Sequence, residues 1–118
     1  VYVSTQSHSS VEKAALLAGF GRENVRAVPH DDVFALRPDA LAEMVTADLA
    51  AGRLPCAVVA TTGTTASTAL DPIAGIAEVA AQHKLWLHVD AAMAGSAMIL
   101  PECRWMWDGI ERADTVLL

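Results

Sequence analysis

Short apolar runs rich in β-branched residues alternate along this chain with stretches whose apolar residues recur at helical spacing, and turn residues separate the two. Val1 to Thr5 reads as a strand. Ser9-Ser10-Val11-Glu12 has the S-x-x-E form of a capping box, in which the serine hydroxyl and the glutamate carboxylate satisfy free amides of a first helical turn, so a helix is predicted from about Ser10 to Ala18. Gly19 and Gly21 end it. Val25 to Val28 forms a second short strand before the turn at Pro29-His30-Asp31-Asp32. Pro38 suits the first turn of a second helix, where a missing amide is no loss, and Leu41, Met44, Val45 and Leu49 form its apolar stripe up to the stop at Gly52.

The second half repeats this alternation. Pro55 to Thr61 is a continuous apolar run closing on a hydroxyl, as expected of a strand covered on both faces. After the loop Thr62 to Thr68, Asp71 reads as an N-cap with Pro72 at the first helical position, and Ile73, Ile76, Ala77 and Ala80 give an apolar face ending near Lys84. Leu85 to Asp90 is a strand that ends on a carboxylate. Small residues from Ala91 to Ala97 follow, then a short helix around Glu102 to Gly109 and a last strand beginning near Thr115. Strands separated by helices of this length imply right-handed β-α-β units, and so an α/β fold with a mostly parallel sheet and helices on both faces.

Composition narrows the function classes. With 53% apolar and 19% charged residues, the 118-residue chain is globular rather than disordered, and its length fits one domain. Eight Lys and Arg against 14 Asp and Glu give a formal charge of −6, and the basic residues are scattered, which argues against a nucleic-acid partner. No apolar run approaches the roughly 18 residues needed to span a bilayer, and no charged segment leads into a secretory core at the start; a membrane role is not expected, and the expected location is the cytoplasm. Cys56 and Cys103 are too few and too far apart for a disulfide framework or a zinc knuckle, and buried free thiols are expected. The chain opens without Met directly in an apolar run and closes on Thr115-Val116-Leu117-Leu118. It therefore reads as a piece of a longer protein.

In parallel α/β sheets ligands sit at the carboxyl ends of the strands, and His8, Thr61 and Asp90 fall there. Each has a plain alternative. His8 can be a solvated loop residue and Thr61 a turn hydroxyl, whereas an acid closing an apolar strand needs a cationic or hydrogen-bonding partner if it is buried. Other chemistries find little support. Gly19-Phe20-Gly21 imitates the start of a dinucleotide fingerprint but lacks the third glycine and lies after a helix, not after a strand. His30-Asp31-Asp32 and the pair His83 and His88 lack metal-ligand spacing, so no metal site is expected. No nucleophile elbow or Walker A loop is present, and Trp105 and Trp107 read as core or subunit-contact residues.

The segments His8-Ser9-Ser10-Val11-Glu12-Lys13-Ala14, Ala60-Thr61-Thr62-Gly63-Thr64-Thr65, Asp71-Pro72-Ile73 and Trp86-Leu87-His88-Val89-Asp90-Ala91-Ala92 resemble, in order and spacing, the group II pyridoxal-phosphate-dependent amino-acid decarboxylases. The resemblance covers essentially the whole chain. It implies that residues 1–118 are a single partial domain, the central part of the large cofactor-binding domain of a fold-type I enzyme. It assigns Asp90 to the pyridine nitrogen of pyridoxal 5'-phosphate, His8 to stacking on the ring and positioning the substrate, Ala92 to the opposite ring face and Thr61 to the cofactor edge. His8 and Asp90 are then the catalytic residues, and His8, Thr61, Asp90 and Ala92 the cofactor-binding ones. The family's cofactor lysine would lie just beyond Leu118, for which neither Lys13 nor Lys84 substitutes, so these residues alone are expected to be inactive.

By the same resemblance the parent protein is a carboxy-lyase acting on a small-molecule amino-acid substrate, and a homodimer. His8 to Ala14 and Ala94-Gly95-Ser96-Ala97 look closer to the aromatic-amino-acid branch than to the glutamate branch, although Met93 stands where the aromatic branch commonly has tyrosine. Aldehyde-forming relatives share these segments. Two other readings stay open: another fold-type I enzyme, such as a carbon-sulfur lyase or aminotransferase, and a non-catalytic α/β module.

Overall fold

The computed structural model describes residues 1–118. Five strands, β1 (Tyr2–Ser4), β2 (Arg26–Val28), β3 (Ala57–Thr61), β4 (Trp86–Asp90) and β5 (Thr115–Leu117), form one sheet in the order β2-β1-β3-β4-β5, and every neighbouring pair is parallel. Three helices, α1 (Ser9–Leu17), α2 (Pro38–Ala50) and α3 (Ile73–His83), make the first three crossovers. The step from β1 to β2 runs toward one edge of the sheet, and the later steps run toward the other. Right-handed crossovers of opposite direction put their helices on opposite faces, so α1 lies alone on one face while α2 packs beside α3 on the other.

The period of two along the strands separates the faces. Val58, Ala60, Leu87 and Val89 point to the α2/α3 side, where with Tyr2, Val28, Leu41, Val45, Ile73, Ile76 and Ala80 they make the main core. Ala57, Val59, His88 and Asp90 point to the α1 side, against Val11, Ala14, Ala15 and Ala18. That second face is only partly covered. Trp86 and Leu117 remain exposed on it, and the Trp86 indole N–H donates to the Thr115 hydroxyl at 3.0 Å. No helix is long and apolar enough to cross a membrane.

Several local expectations need correction. The capping box does not form: His8, not Ser9, is the N-cap of α1, and Glu12 pairs with Arg22 instead of reaching back to the first turn. Asp71 does not cap α3, whose N-cap is Pro72 with no side-chain bond. The Asp71 carboxylate instead accepts from the Leu36 and Thr61 amides, at 2.7 and 2.8 Å, a long-range use that local spacing does not reveal. The segment expected as a helix around Glu102 to Gly109 consists of 3₁₀ turns, Pro101–Trp107 and Ile110–Arg112, preceded by another at Gly95–Ile99. Small residues, Pro101 and Gly109, in the left-handed region with φ +89°, interrupt any longer ladder. Both cysteines are free, but neither is buried: Cys56 is exposed just before β3 begins, and Cys103 is half-buried within the 3₁₀ turn Pro101–Trp107. Trp107 enters the core, while Trp105 is exposed.

Candidate active site

Thr61 and Asp90 close adjacent strands in register, so their side chains leave the sheet on the same side. It is the α1 side. His8 stands at the start of α1, four residues beyond the end of β1, and it brings an imidazole over the carboxyl ends of β3 and β4. The direction of chain winding reverses between β1 and β3, the place where a doubly wound sheet opens a crevice. An open cleft of about 350 Å³ lies there, lined by His8, Ser10, Thr61, Gly63, Thr65, Asp90, Ala92, Met93 and Leu117. All four residues singled out by the sequence therefore meet in one place.

The loop after β3 is shaped to leave this room. Thr62 pairs with Leu70 through an isolated antiparallel bridge, and the Thr64 hydroxyl lies 2.7 Å from the Ser67 hydroxyl and accepts from the Ala69 amide at 3.0 Å. Between them Gly63 adopts φ +84°, and a Cβ there would stand 2.8 Å from the Ala94 Cβ. Only glycine lets this loop and the segment after β4 come so close. Asp71, buried beneath the loop, ties the end of β3 to the 29–37 connection through its two amide bonds, and burial pushes its carboxyl up to about 6.

The electrostatics of the cleft centre on Asp90. It is buried, and the hydrogen bond it receives from protein is one at 3.2 Å from the Ala92 amide to Oδ1; no Lys, Arg or His pairs with it. Thr61 is also buried, and its hydroxyl has no partner. A carboxylate removed from water without a cation, beside an unpaired hydroxyl, is costly unless another group completes the site. A buried acid on α2 shows the contrast. Asp48, at the opposite end of the strands, accepts from the Tyr2 hydroxyl at 2.8 Å and pairs with Arg26 at 3.1 Å and Arg53 at 3.6 Å. Its needs are met internally; those of Asp90 are not.

These features fit pyridoxal phosphate. Its protonated pyridine nitrogen is a cationic donor suited to Asp90, and the unpaired Thr61 hydroxyl is available to its edge. No lysine lines the cleft: Lys13 lies on α1, and Lys84 closes α3 in the left-handed conformation with φ +55°. Ser10, Gly63 and Thr65 are cleft residues that the sequence does not single out. Ser10 is absorbed into the apparent capping motif, and the other two reach the cleft only because the loop folds back, which no local pattern records.

Comparison with known proteins points to the same cofactor. Residues 1–118 match the model of the pyridoxal-dependent decarboxylase conserved domain. The chain is 48% identical over 117 residues to phenylacetaldehyde synthase of Arabidopsis thaliana, covering 98% of this chain and 24% of that protein. It is 48% identical over 120 residues to tyrosine/DOPA decarboxylase 5 of Papaver somniferum, covering 100% of this chain and 23% of that protein. A crystal structure of Oryza sativa TDC with PLP and tryptamine matches with a TM-score of 0.95 at 47% identity, over 98% of this chain and 24% of that one. The chain thus spans about a quarter of the length of these relatives.

Proposed function

The chain belongs to the pyridoxal-dependent decarboxylase family, and from that premise we propose that the full-length protein binds pyridoxal phosphate and releases carbon dioxide from an aromatic L-amino acid. The observation that carries this reading is the buried Asp90 carboxylate, which has no cation of its own in the cleft. Bound pyridoxal phosphate supplies an electron sink for the pair left behind when the substrate carboxylate departs. Asp90 holds a proton at the ring nitrogen, where a neighbouring carboxylate stabilises the charged form, typically by about 1 to 3 pKa units. His8 and Ala92 limit the tilt of the ring, which matters because bond breaking depends on orientation relative to the conjugated plane. Thr61 offers its free hydroxyl to the cofactor edge or to Asp90.

The aromatic preference is supported by relatives named for tyrosine, DOPA and tryptophan. The aldehyde synthase is as similar as the tyrosine/DOPA decarboxylase, at 48% for each, so aldehyde formation is the second reading. In both, the lysine that bonds the cofactor comes from a part of the full-length protein outside residues 1–118, and the protein is a cytoplasmic homodimer. The test is to supply the purified full-length protein with pyridoxal phosphate and L-tryptophan, L-tyrosine or L-glutamate, and to follow carbon dioxide, amine and aldehyde. Amine with equimolar carbon dioxide from an aromatic substrate supports the decarboxylase; aldehyde with carbon dioxide, ammonia and hydrogen peroxide, formed with consumption of dissolved dioxygen and water, supports the second reading; no turnover of either aromatic acid contradicts both.

A further inference from the structure

The hydrogen bonds of the His8 ring run through one nitrogen. The main-chain N–H of Ser10 lies 3.3 Å from Nδ1, and the Ser10 hydroxyl lies 2.9 Å from the same atom. An amide N–H can only donate, so Nδ1 is the acceptor, and a neutral imidazole then carries its proton on Nε2. The hydroxyl facing that same lone pair is left to donate too. The arrangement follows from helix geometry. His8 is the N-cap of α1, in extended conformation at φ −63°, ψ 145°, and a capping side chain accepts from the second or third residue of the helix; Ser10 is the second. A histidine in a position usually held by Ser, Thr, Asp or Asn thus has its tautomer set by the turn it caps.

We propose that Ser10 is a positioning residue that holds His8 in the Nε2–H tautomer, so that the ring presents a donor, not a lone pair, to the cleft it shares with Asp90. The inference rests on the reading of that cleft as the catalytic site. Its chemical sense lies in the substrate. An amino acid brings a carboxylate, which an N–H attracts and an imidazole lone pair repels. The Ser10 amide alone, at the longer distance, holds the tautomer less firmly than amide and hydroxyl together.

Two measurements on the full-length protein test this. A neutron crystal structure of the deuterated protein grown at alkaline pH should show a deuteron on Nε2 of His8 and none on Nδ1. In kinetics, Ser10→Ala should lower kcat about 3- to 10-fold, the worth of one hydrogen bond, with little change in KM, and Ser10→Thr should restore it. A deuteron on Nδ1 overturns the inference, as does an Ala variant with wild-type kcat or a Thr variant as impaired as the Ala one. The deuteron is located without substrate and whatever the reaction proves to be. Failure of the decarboxylase reading therefore shows in the product assay, and failure of the tautomer assignment shows in the neutron map.

Discussion

Thr61 and Asp90 are register partners at the ends of neighbouring parallel strands, and both side chains leave the sheet beneath the start of α1. One residue of slip between β3 and β4 would turn one of them into the α2/α3 core. The register is held by apolar partners, Val58 with Leu87 and Ala60 with Val89, all buried on the opposite face. The same hydrophobic alternation that builds the core therefore aims the hydroxyl and the carboxylate into the cleft.

Gly63 is where the cleft depends on an absent side chain. Gly63→Ala should weaken pyridoxal-phosphate binding by the full-length protein, because the new Cβ would stand 2.8 Å from Ala94 and the backbone would remain at φ +84°. The combined strain is expected to cost about 1 to 3 kcal/mol. The added change Ala94→Gly should recover part of the loss, leaving the conformational term. Fluorescence titration of the cofactor into the single and double variants measures both; identical affinities for the two variants would show that the contact does not matter.

Asp71 should make stability depend on pH in an unusual direction for an acid. Burial raises its carboxyl from 3.8 to about 6, although the Leu36 and Thr61 amides oppose the rise. The folded protein then holds this proton more tightly than the unfolded chain. The contribution to stability is complete below pH 3.8 and is lost as pH climbs through 6, on the order of 3 kcal/mol in total. Urea denaturation of wild type and Asp71→Asn across this range should show the wild-type advantage shrinking as pH rises; a constant difference would contradict this linkage.

Tyr2 should matter for folding and not for chemistry. Its hydroxyl donates to the buried Asp48 carboxylate, and burial together with that acid pushes its ionisation far up. Tyr2→Phe removes a donor from a buried charge and should destabilise by about 1 to 3 kcal/mol. The pair lies at the opposite end of the strands from Asp90, so kcat should stay within about twofold, as for distant, independent sites. Thermal unfolding and steady-state kinetics of the variant separate the two effects.

Much of the architecture is readable from apolar runs and their stops. All five strands and α1, α2 and α3 lie where Val1 to Thr5, the Leu41 to Leu49 stripe, the Cys56 to Ala60 run and their neighbours place them, with ends shifted by a residue or two. Asp90 is readable because an acid ending an apolar strand is conspicuous. Local motifs mislead where a side chain has a better distant partner. Glu12 leaves the capping box for Arg22, and Asp71 leaves the α3 cap for two amides, one of them 35 residues away. Ser10 and Thr65 escape notice for the related reason that their place in the cleft depends on the turn at His8 and on the closed loop from Thr64 to Ala69. The 3₁₀ turns after Ala94 carry no steady apolar period, so their packing, with Trp107 inside and Trp105 outside, is not legible.

Asp90→Asn in the full-length protein tests whether this buried carboxylate keeps the ring nitrogen of the cofactor protonated. The variant keeps the shape of the side chain and removes its charge. With cofactor bound and an aromatic L-amino acid as substrate, kcat for carbon dioxide release should fall by roughly a hundredfold or more, the scale of losing a preorganised electrostatic contact. Activity within a few-fold of wild type would contradict that role for Asp90.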